Sequence, residues 1–403
     1  MIKIAVMGLG VVGGGVVDVL RENSDSIAKN AADEISVKYI LTRRPVPESP
    51  VAELMVQNFE IIEKDPEVSI VVETIGGVGP AYEYTKRALL AGKSVVTANK
   101  ELVAAKGHEL MEIAKARNVN YLFEASVGGG IPIIRPITQC LAANRIDEVY
   151  GIVNGTTNYI LTQMIRCGTS FADALKQAQE NGYAEADPTA DIEGHDACRK
   201  ICILSDLCFG RHVEPEKVPT EGITGVSLHD VECARAIGYK IKLLGRAFRL
   251  ENDRVAAYVA PHLISTSSLL SNVDGVMNGI VVHGNAIGEA MFYGPGAGKR
   301  PTASAVVADV IDAAKHLETR KHLEWQPARE GYVADADEIP CRWYVRARAE
   351  VADINRGFGR VSFIGTHNTG EGECAFVTEA MPGKMAKQLK ETLQIRSMFR
   401  VLD

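Results

Sequence analysis

A strand-like apolar run leads directly into a glycine-rich turn in the stretch Ile4-Ala5-Val6-Met7-Gly8-Leu9-Gly10-Val11-Val12-Gly13. The turn matches G-x-G-x-x-G between a strand and a helix, which is the context that the dinucleotide-binding fingerprint requires. Gly8 permits a tight turn, Gly10 lets the backbone approach a pyrophosphate, and Gly13 lets the helix pack on the strand. The alternative is a tight strand-to-helix turn without a ligand. The predicted cofactor-binding residues are Gly8, Leu9, Gly10, Val11, Val12 and Gly13.

Short apolar runs alternate with helix-like stretches from residue 1 to about residue 132, which is typical of a parallel sheet with crossover helices. The predicted strands are Lys3 to Met7, Val37 to Thr42, Ser69 to Glu73, Ser94 to Thr97 and Tyr121 to Glu124. The fold class is therefore predicted as α/β, with a Rossmann-type doubly wound parallel sheet in residues 1–132.

The rest of the chain predicts further units, as expected for 403 residues. Residues 133–320 read as a mixed α+β domain, with a strand near Glu148 to Val153 and a helix capped by Ser170-Phe171-Ala172-Asp173. Residues 321–340 form a polar, proline-containing linker. Residues 341–403 form a small α+β module.

The composition argues against several classes of function. Hydrophobic residues make up 46% of the chain, and the formal charge of −7 is spread without long runs of one sign. A nucleic-acid-binding surface needs clustered lysine and arginine, so the charge pattern argues against nucleic acid as a partner. No apolar run is long enough to span a bilayer, and the first residues enter a strand at once. We therefore expect a cytoplasmic protein without a membrane contact, whose eight cysteines are reduced thiols.

The end of the second strand bears on the choice of dinucleotide. An acid there bonds the ribose 2′-hydroxyl, whereas an arginine accommodates a 2′-phosphate. The strand Val37 to Thr42 ends in Arg43-Arg44, while Asp33 and Glu34 precede it. We therefore predict NADP as the preferred cofactor, with NAD possible as an alternative.

Later strand ends supply further candidates, because ligands lie at the carboxyl ends of the strands in such a sheet. Thr74 and Lys100 follow two strands and are predicted to line the nicotinamide crevice. Three glycines, Gly128 to Gly130, follow the fifth strand, and their carbonyls suit a monovalent cation, since hard ions take oxygen ligands. The alternative is a flexible hinge between domains, which composition alone favours.

A dense group of acids and a lysine lies between Asn181 and Lys200. Asp196 and Lys200 are four residues apart on a predicted helix and so share one face. The ordinary interpretation is a surface ion pair contributing about 0.3 kcal/mol. However, Glu185 and Asp191 lie just before that helix, where they match the ammonium group of an amino-acid-like substrate, and Lys200 can protonate a carbonyl oxygen. The pattern indicates an oxidoreductase that acts on such a substrate with a nicotinamide cofactor.

Six ordered motifs over residues 1 to about 320 make the chain similar to the homoserine dehydrogenase family. They are Gly8 to Gly13, Thr97 to Lys100, Glu124 to Pro132, Asn154 to Tyr159, Gly182 to Pro188 with Asp191, Asp196 and Lys200, and Tyr293 to Gly298. The resemblance implies NAD(P)-dependent interconversion of L-homoserine and L-aspartate 4-semialdehyde in threonine, methionine and isoleucine biosynthesis. It also implies that residues 133–320 form the catalytic and dimerisation domain of a homodimer or homotetramer.

The resemblance assigns roles to single residues. Lys200 would donate the proton to the aldehyde oxygen, Lys100 would lie beside it, and Asp196 would orient the reacting group. The implied substrate-binding residues are Glu185, Asp196, Asp191 and Gly182. The implied cofactor contacts beyond the first turn are Arg43, Arg44, Thr74, Lys100, Gly182 and Gly296. A sodium-like cation with a structural role would be held by the side of Glu124 and by the carbonyls of Val127, Gly129 and Ile131, which reverses the preference for a hinge.

The C-terminal module is predicted to be ACT-like but shortened. Its first strand, Trp343 to Val351, is expected to run into the next strand with no room for the helix of that module type. The expected shortening places threonine feedback in doubt.

Two other classes of function fit less of the sequence. A semialdehyde dehydrogenase that forms a thioester needs an activated cysteine at the nicotinamide, and no cysteine lies in the strand-end segments. A non-catalytic dinucleotide sensor would not need Glu185, Asp196 and Lys200 together.

Overall fold

A computed structural model describes residues 1–44, 46–365 and 369–402. The N-terminal elements are β1 (Ile2–Met7), α1 (Val11–Glu22), α2 (Ser24–Ala31), β2 (Ile35–Leu41), β3 (Met55–Val56), α3 (Phe59–Lys64), β4 (Val68–Glu73), α4 (Gly79–Leu90), β5 (Ser94–Thr97), α5 (Lys100–Arg117) and β6 (Tyr121–Leu122). Their strands pair in parallel in the order β3-β2-β1-β4-β5-β6. This is the doubly wound order of dinucleotide-binding domains, which confirms the predicted fold class.

Burial explains why the central strands read as continuous apolar runs. Helices cover both faces of the sheet, so all residues from Ile4 to Met7 are inaccessible to solvent. The predicted strands are found to within two residues. The fifth ends early, at Leu122, because Glu124–Ser126 turns into a short 3₁₀ helix.

The second unit contains β7 (Ile146–Ile152), α6 (Gly155–Cys167), α7 (Phe171–Glu180), α8 (Thr189–Ile192), α9 (His195–Phe209), α10 (Leu228–Ala236), β8 (Tyr239–Leu250), β9 (Arg254–Ser265), β10 (Met277–Gly284), β11 (Gly288–Pro295) and α11 (Lys299–Lys315). Its strands are antiparallel in the order β11-β10-β7-β8-β9. The predicted strand near Glu148 is β7. Ser170 caps α7 as predicted, because its hydroxyl accepts the Asp173 N–H at 3.2 Å.

Helix α11 returns from the second unit to the Rossmann sheet. Close approach of α11 and α1 requires a glycine, because a Cβ on Gly15 would lie 2.8 Å from the Lys299 carbonyl oxygen. Ala303 and Val306 then join the core that contains Ile4. The segment predicted as residues 133–320 thus completes the core of the N-terminal domain.

The C-terminal elements are β12 (Pro340–Cys341), β13 (Trp343–Ala347), α12 (Val351–Phe358), β14 (Val361–Ile364), β15 (Cys374–Thr378), β16 (Met381–Pro382), α13 (Gly383–Gln388) and β17 (Ile395–Leu402). From β13 onward the main elements run βαββαβ, and the strand order β17-β13-β15-β14 is ferredoxin-like. The prediction that no helix follows the first strand is wrong. Val351–Phe358 is that helix, and its Ile354 and Phe358 pack into the core of the module. The stated reason to doubt a threonine response is therefore removed, and the ACT-like assignment stays a prediction.

The module is joined to the second unit by a shared sheet. Strand β17 pairs in parallel with β9, so one nine-stranded sheet runs through both. The predicted linker lies against this unit, because Gln326 and Val333 form isolated bridges with Arg211 and Val255. No helix in the described part of the chain has the length and apolarity needed to span a bilayer.

A buried charged network ties the module to α10. Asp230 is inaccessible to solvent and accepts hydrogen bonds from Arg346 Nε at 2.8 Å, Tyr344 Oη at 2.9 Å and Ser397 Oγ at 2.9 Å. Arg346 also pairs with Glu373 at 2.5 Å. Arg346 is therefore the shared cation of two carboxylates at the junction.

We expect Arg346→Met to lower the free energy of unfolding by about 3 kcal/mol, because it leaves Asp230 buried without its counter-ion. The measurement is the midpoint of urea unfolding. Arg356→Met is the matched control, since Arg356 is 78% exposed and its pair with Asp353 is expected to contribute less than about 1 kcal/mol. Equal midpoints for the two variants would contradict the assigned role.

Candidate active site

The predicted pair Asp196 and Lys200 lies on one face of α9, and that face is buried. Gly194 precedes the helix in a left-handed conformation (φ 83°) and sets its start. Lys200 Nζ donates to Asp196 Oδ2 at 2.8 Å. The two residues are only 8% and 6% exposed, so the interpretation as a surface ion pair is wrong. A charged pair at this depth is far less screened than one at the surface.

Lys100 approaches the same carboxylate from the other unit. It is the first residue of α5, at the carboxyl end of β5, and its Nζ lies 3.0 Å from Asp196 Oδ1. Burial alone would raise the pKa of Asp196, but the ammonium groups of Lys200 and Lys100 outweigh it and hold that pKa far below its usual value. For Lys100, burial opposes the charged form, yet the Asp196 carboxylate raises its pKa above the usual value. One carboxylate thus binds two ammonium groups, one on each oxygen.

Lys200 retains a donor for a ligand. Besides Asp196, its Nζ donates to the Val153 carbonyl oxygen at 2.7 Å. A lysine ammonium carries three N–H donors, and these two acceptors are the ones it has among the described residues. The third N–H is available to an oxygen atom of a substrate.

The acidic loop before α9 divides into two parts. Asp191 joins the buried cluster, because Asn154 Nδ2 donates to its Oδ1 at 2.7 Å and to Asp196 Oδ2 at 2.9 Å. Glu185 is exposed, and the described part of the chain supplies its carboxylate with neither a hydrogen bond nor an ion pair. Gly182 lies on the same exposed loop with φ 73°. The loop therefore presents an unengaged carboxylate to solvent.

The glycine turn has the close contacts that the fingerprint predicts. Gly8 has φ 97°, and a Cβ on Gly13 would lie 2.0 Å from the Gly8 carbonyl oxygen. Nothing lies within 4 Å of a Cβ on Gly10, so space remains there for a ligand. The Thr74 hydroxyl donates to the Gly8 carbonyl at 3.2 Å and thus also supports the turn. Leu9, Val11 and Val12 complete the turn at the start of α1 and are at least partly exposed.

Arg43 and Arg44 follow β2 and are exposed, whereas Asp33 precedes the strand, as predicted. Neither guanidinium group forms an ion pair with a described residue. The carboxyl end of β2 therefore carries two unpaired positive charges.

The glycine-rich loop after β6 is fixed by backbone contacts. The buried Glu124 carboxylate accepts the N–H groups of Ile133 at 2.6 Å, Ile134 at 2.8 Å and Arg135 at 2.8 Å. A Cβ on Gly129 would lie 2.2 Å from the Gly296 carbonyl oxygen. The loop is thus a rigid neighbour of the Gly296 turn, with Val127 and Ile131 also buried.

Two residues, Asn154 and Glu73, lie in segments that the sequence singled out but were given no role of their own. Asn154 bridges two carboxylates, although a residue before Gly-Thr-Thr signals only a helix cap. Glu73 is inaccessible to solvent and accepts the Ile75 N–H at 2.7 Å and the Thr97 hydroxyl at 2.5 Å. Burial raises the pKa of Glu73 despite these donors. The Glu73 carboxylate thus connects the carboxyl ends of β4 and β5.

Comparisons with known proteins agree with this geometry. The family model described as "Homoserine dehydrogenase, NAD binding domain" matches residues 8–124, and the model described as "Homoserine dehydrogenase" matches residues 132–311. A homoserine dehydrogenase of Neisseria gonorrhoeae is 44% identical over 359 residues, which cover 87% of this chain and 82% of that protein.

Solved structures give the same result. A homoserine dehydrogenase from Thiobacillus denitrificans superposes with a TM-score of 0.90 at 39% identity, covering 100% of this chain and 98% of that one. A hyperthermophilic archaeal homoserine dehydrogenase in complex with NADPH superposes with a TM-score of 0.66 at 29% identity, covering 77% and 97%. The chain binds a nicotinamide cofactor and a small-molecule substrate, and it belongs to the homoserine dehydrogenases, the oxidoreductases that interconvert L-homoserine and L-aspartate 4-semialdehyde.

Proposed function

We propose that Lys200 is the proton donor in reduction of L-aspartate 4-semialdehyde, with Asp196 and Lys100 holding it in position. The observation that carries this proposal is the single buried carboxylate of Asp196 between two lysine ammonium groups. The carboxylate fixes Lys200 Nζ, which donates to two protein acceptors and leaves its third N–H for the aldehyde oxygen of the substrate. The Glu185 carboxylate and the Asp191 carboxylate would bind the substrate ammonium group near the Gly182 backbone.

The reaction combines hydride transfer to the aldehyde carbon with proton transfer to its oxygen. A reduced nicotinamide, when bound at the glycine turn, would supply the hydride to the aldehyde carbon. Lys200 donates a hydrogen bond to the aldehyde oxygen and then transfers its proton, so that negative charge does not accumulate on oxygen. In the reverse direction, the same nitrogen accepts the proton of the homoserine hydroxyl. The assay that tests the proposal follows NADPH oxidation with L-aspartate 4-semialdehyde, with and without threonine.

We propose that NADP is preferred over NAD and that Arg43 and Arg44 bind its 2′-phosphate. The support is their position after β2 and their unpaired charge, together with the NADPH complex of the archaeal relative. The double variant Arg43→Ala/Arg44→Ala is expected to raise KM for NADPH about tenfold, or about 1.4 kcal/mol, and KM for NADH less than about twofold. Arg254→Ala, an exposed arginine on β9, is the control. An equal change for both cofactors would contradict the proposal.

A sodium-like cation beside the glycine-rich loop is a further proposal. The Glu124 carboxylate is engaged by three amides, so the ligands would be carbonyl oxygens of Glu124, Val127, Gly129 and Ile131. Such oxygens suit a hard monovalent ion. Its role would be to brace the loop against the Gly296 turn.

We also propose a homodimer or homotetramer. Helices α6, α9 and α10 cover one face of the nine-stranded sheet, while Tyr150, Phe248 and Met291 remain partly exposed on the opposite face. Tyr293 on the edge strand β11 is 57% exposed. A second copy would cover this apolar surface, and light scattering should give two or four times the mass of one chain.

A cytoplasmic location is proposed as well, supported by the absence of any disulfide among the eight cysteines, all of which lie in the described ranges.

A further inference from the structure

The side chain of Asn154 connects the start of α6 to the buried carboxylate of Asp196 and the partly buried carboxylate of Asp191. Its Oδ1 caps the helix by accepting the Thr157 N–H at 2.9 Å and the Thr157 hydroxyl at 3.0 Å. Its Nδ2 donates to Asp191 Oδ1 at 2.7 Å and to Asp196 Oδ2 at 2.9 Å. The residue is buried, and both polar atoms of its amide have protein partners.

These partners fix the orientation of the amide. The Thr157 N–H is a donor only, so it requires the oxygen of Asn154, and the two carboxylates are acceptors that require its nitrogen. A flipped amide would place its oxygen against two carboxylates and its NH₂ against an N–H. The amide therefore has one favourable orientation, set by the helix cap.

The same short segment also fixes Lys200. Val153 accepts one N–H of Lys200 through its backbone oxygen, and the next residue, Asn154, holds Asp196, which accepts another. Asn154 shares Asp196 Oδ2 with Lys200, so it limits rotation of that carboxylate. The NH₂ group of Asn154 lies between the negative charges of Asp191 and Asp196. Because the amide is neutral, it adds no third negative charge there.

We propose that Asn154 is a positioning residue of the reaction: its NH₂ group holds Asp196 and Asp191 so that the third N–H of Lys200 is aimed at the substrate oxygen. The proposal rests on the role proposed above for Lys200. Asn154 does not itself exchange a proton with the substrate.

Asn154→Asp is the decisive variant, because aspartate also caps helices but presents an acceptor where the NH₂ group was. We expect kcat to fall about 100-fold, with the dissociation constant of NADPH changed less than about threefold. A further carboxylate beside Asp191 and Asp196 favours the protonated form of the Lys100 and Lys200 amines. The nearby Glu101–Arg199 ion pair is the same in the variant and in the wild type. The pH profile of homoserine oxidation should therefore move to higher pH.

Asn154→Ser separates the bridge from the added charge. Serine caps the helix but is too short to reach both carboxylates, so kcat should fall about tenfold with the pH profile unmoved. Asn58→Asp is the matched control, since Asn58 caps α3 on the Rossmann sheet by accepting the Glu60 N–H at 2.9 Å. It should retain wild-type kcat and pH profile.

Three outcomes overturn the inference. One is kcat within threefold of wild type for both Asn154 variants. Another is an unmoved pH profile for a folded Asn154→Asp. The third is a loss of kcat that follows loss of thermal stability and NADPH affinity in Asn154→Ser, which would be a structural effect. Lys200→Met is assayed beside them: if it is active, the proposed role of Lys200 fails, whereas an inactive Lys200→Met with active Asn154 variants refutes only the role of Asn154.

Discussion

Replacing Lys200 by methionine is expected to lower kcat for reduction of L-aspartate 4-semialdehyde by about 10³-fold, within the range that a positioned proton donor contributes. Methionine fills most of the volume of this 10% exposed side chain, so the loss reports the missing N–H rather than a cavity. Without the ammonium group, the oxygen receives no proton as the hydride arrives. NADPH affinity should change less than about threefold, because Lys200 contacts Asp196 and Val153 and not the glycine turn.

The measurement is single-turnover and steady-state NADPH oxidation, with NADPH binding followed by fluorescence. Lys176→Met is the matched control, since Lys176 is 74% exposed on α7 and, among the residues that the structure describes, forms an ion pair with Glu180 alone. In the wild-type protein, burial would raise the pKa of Asp196, but Lys200 and Lys100 lower it, so its stabilising charge is present above about pH 4 and is lost only as pH falls toward that lowered pKa. Lys200→Met removes one of these two ammonium groups, so the pKa of Asp196 should be higher in the variant, and the comparison is made over a range of pH. A Lys200→Met enzyme with more than a tenth of wild-type kcat would refute the proton-donor role.

The features that the sequence predicted well are local ones. The turn from Gly8 to Gly13 is set by residues within one strand-turn-helix unit, and the structure has the same contacts. The spacing of Asp196 and Lys200 likewise predicts a shared helical face. Their burial could not be predicted, because it depends on α9 packing against β7, β8, β9 and α5, which are distant in sequence. Lys100 at the start of α5 lies 96 residues before Asp196 and reaches it only through this packing.

The missed helix α12 has a physical explanation. Its sequence from Val351 to Phe358 contains two β-branched residues, an asparagine and a glycine, which are weaker helix formers than alanine or leucine. Only the four-residue spacing of Ile354 and Phe358, both buried in the module, indicates a helix. Packing therefore outweighs propensity here.

The Asn154 bridge was missed for a related reason. Asparagine before a helix is read as a cap, and the cap is indeed present. The second half of the amide contacts residues 37 and 42 positions away, and no local pattern reports such a contact.

Alanine at Gly13 is expected to weaken NADPH binding at least about 100-fold, or about 2.7 kcal/mol. The new Cβ would lie 2.0 Å from the Gly8 carbonyl oxygen and 2.7 Å from Thr74 Oγ1, so the turn must move away from Thr74 and lose its shape. Gly14→Ala is the matched control on the next residue of the same helix. Nothing lies within 4 Å of its Cβ, and alanine should stabilise the helix by up to about 1 kcal/mol with NADPH affinity unchanged.

Gly10→Ala distinguishes the fold of the turn from the space that it leaves. Gly10 has φ −77°, which alanine adopts without strain, and no protein atom lies within 4 Å of a Cβ there. The variant should therefore unfold at the wild-type temperature yet bind NADPH at least about tenfold more weakly, because its methyl group occupies the space where a pyrophosphate approaches the backbone. Calorimetry measures the stability of the three variants and titration their NADPH affinity. Unchanged affinity in Gly10→Ala would mean that the dinucleotide does not approach Gly10, whatever the behaviour of Gly13→Ala, because the Gly10 methyl group, unlike that of Gly13, has no protein atom within 4 Å.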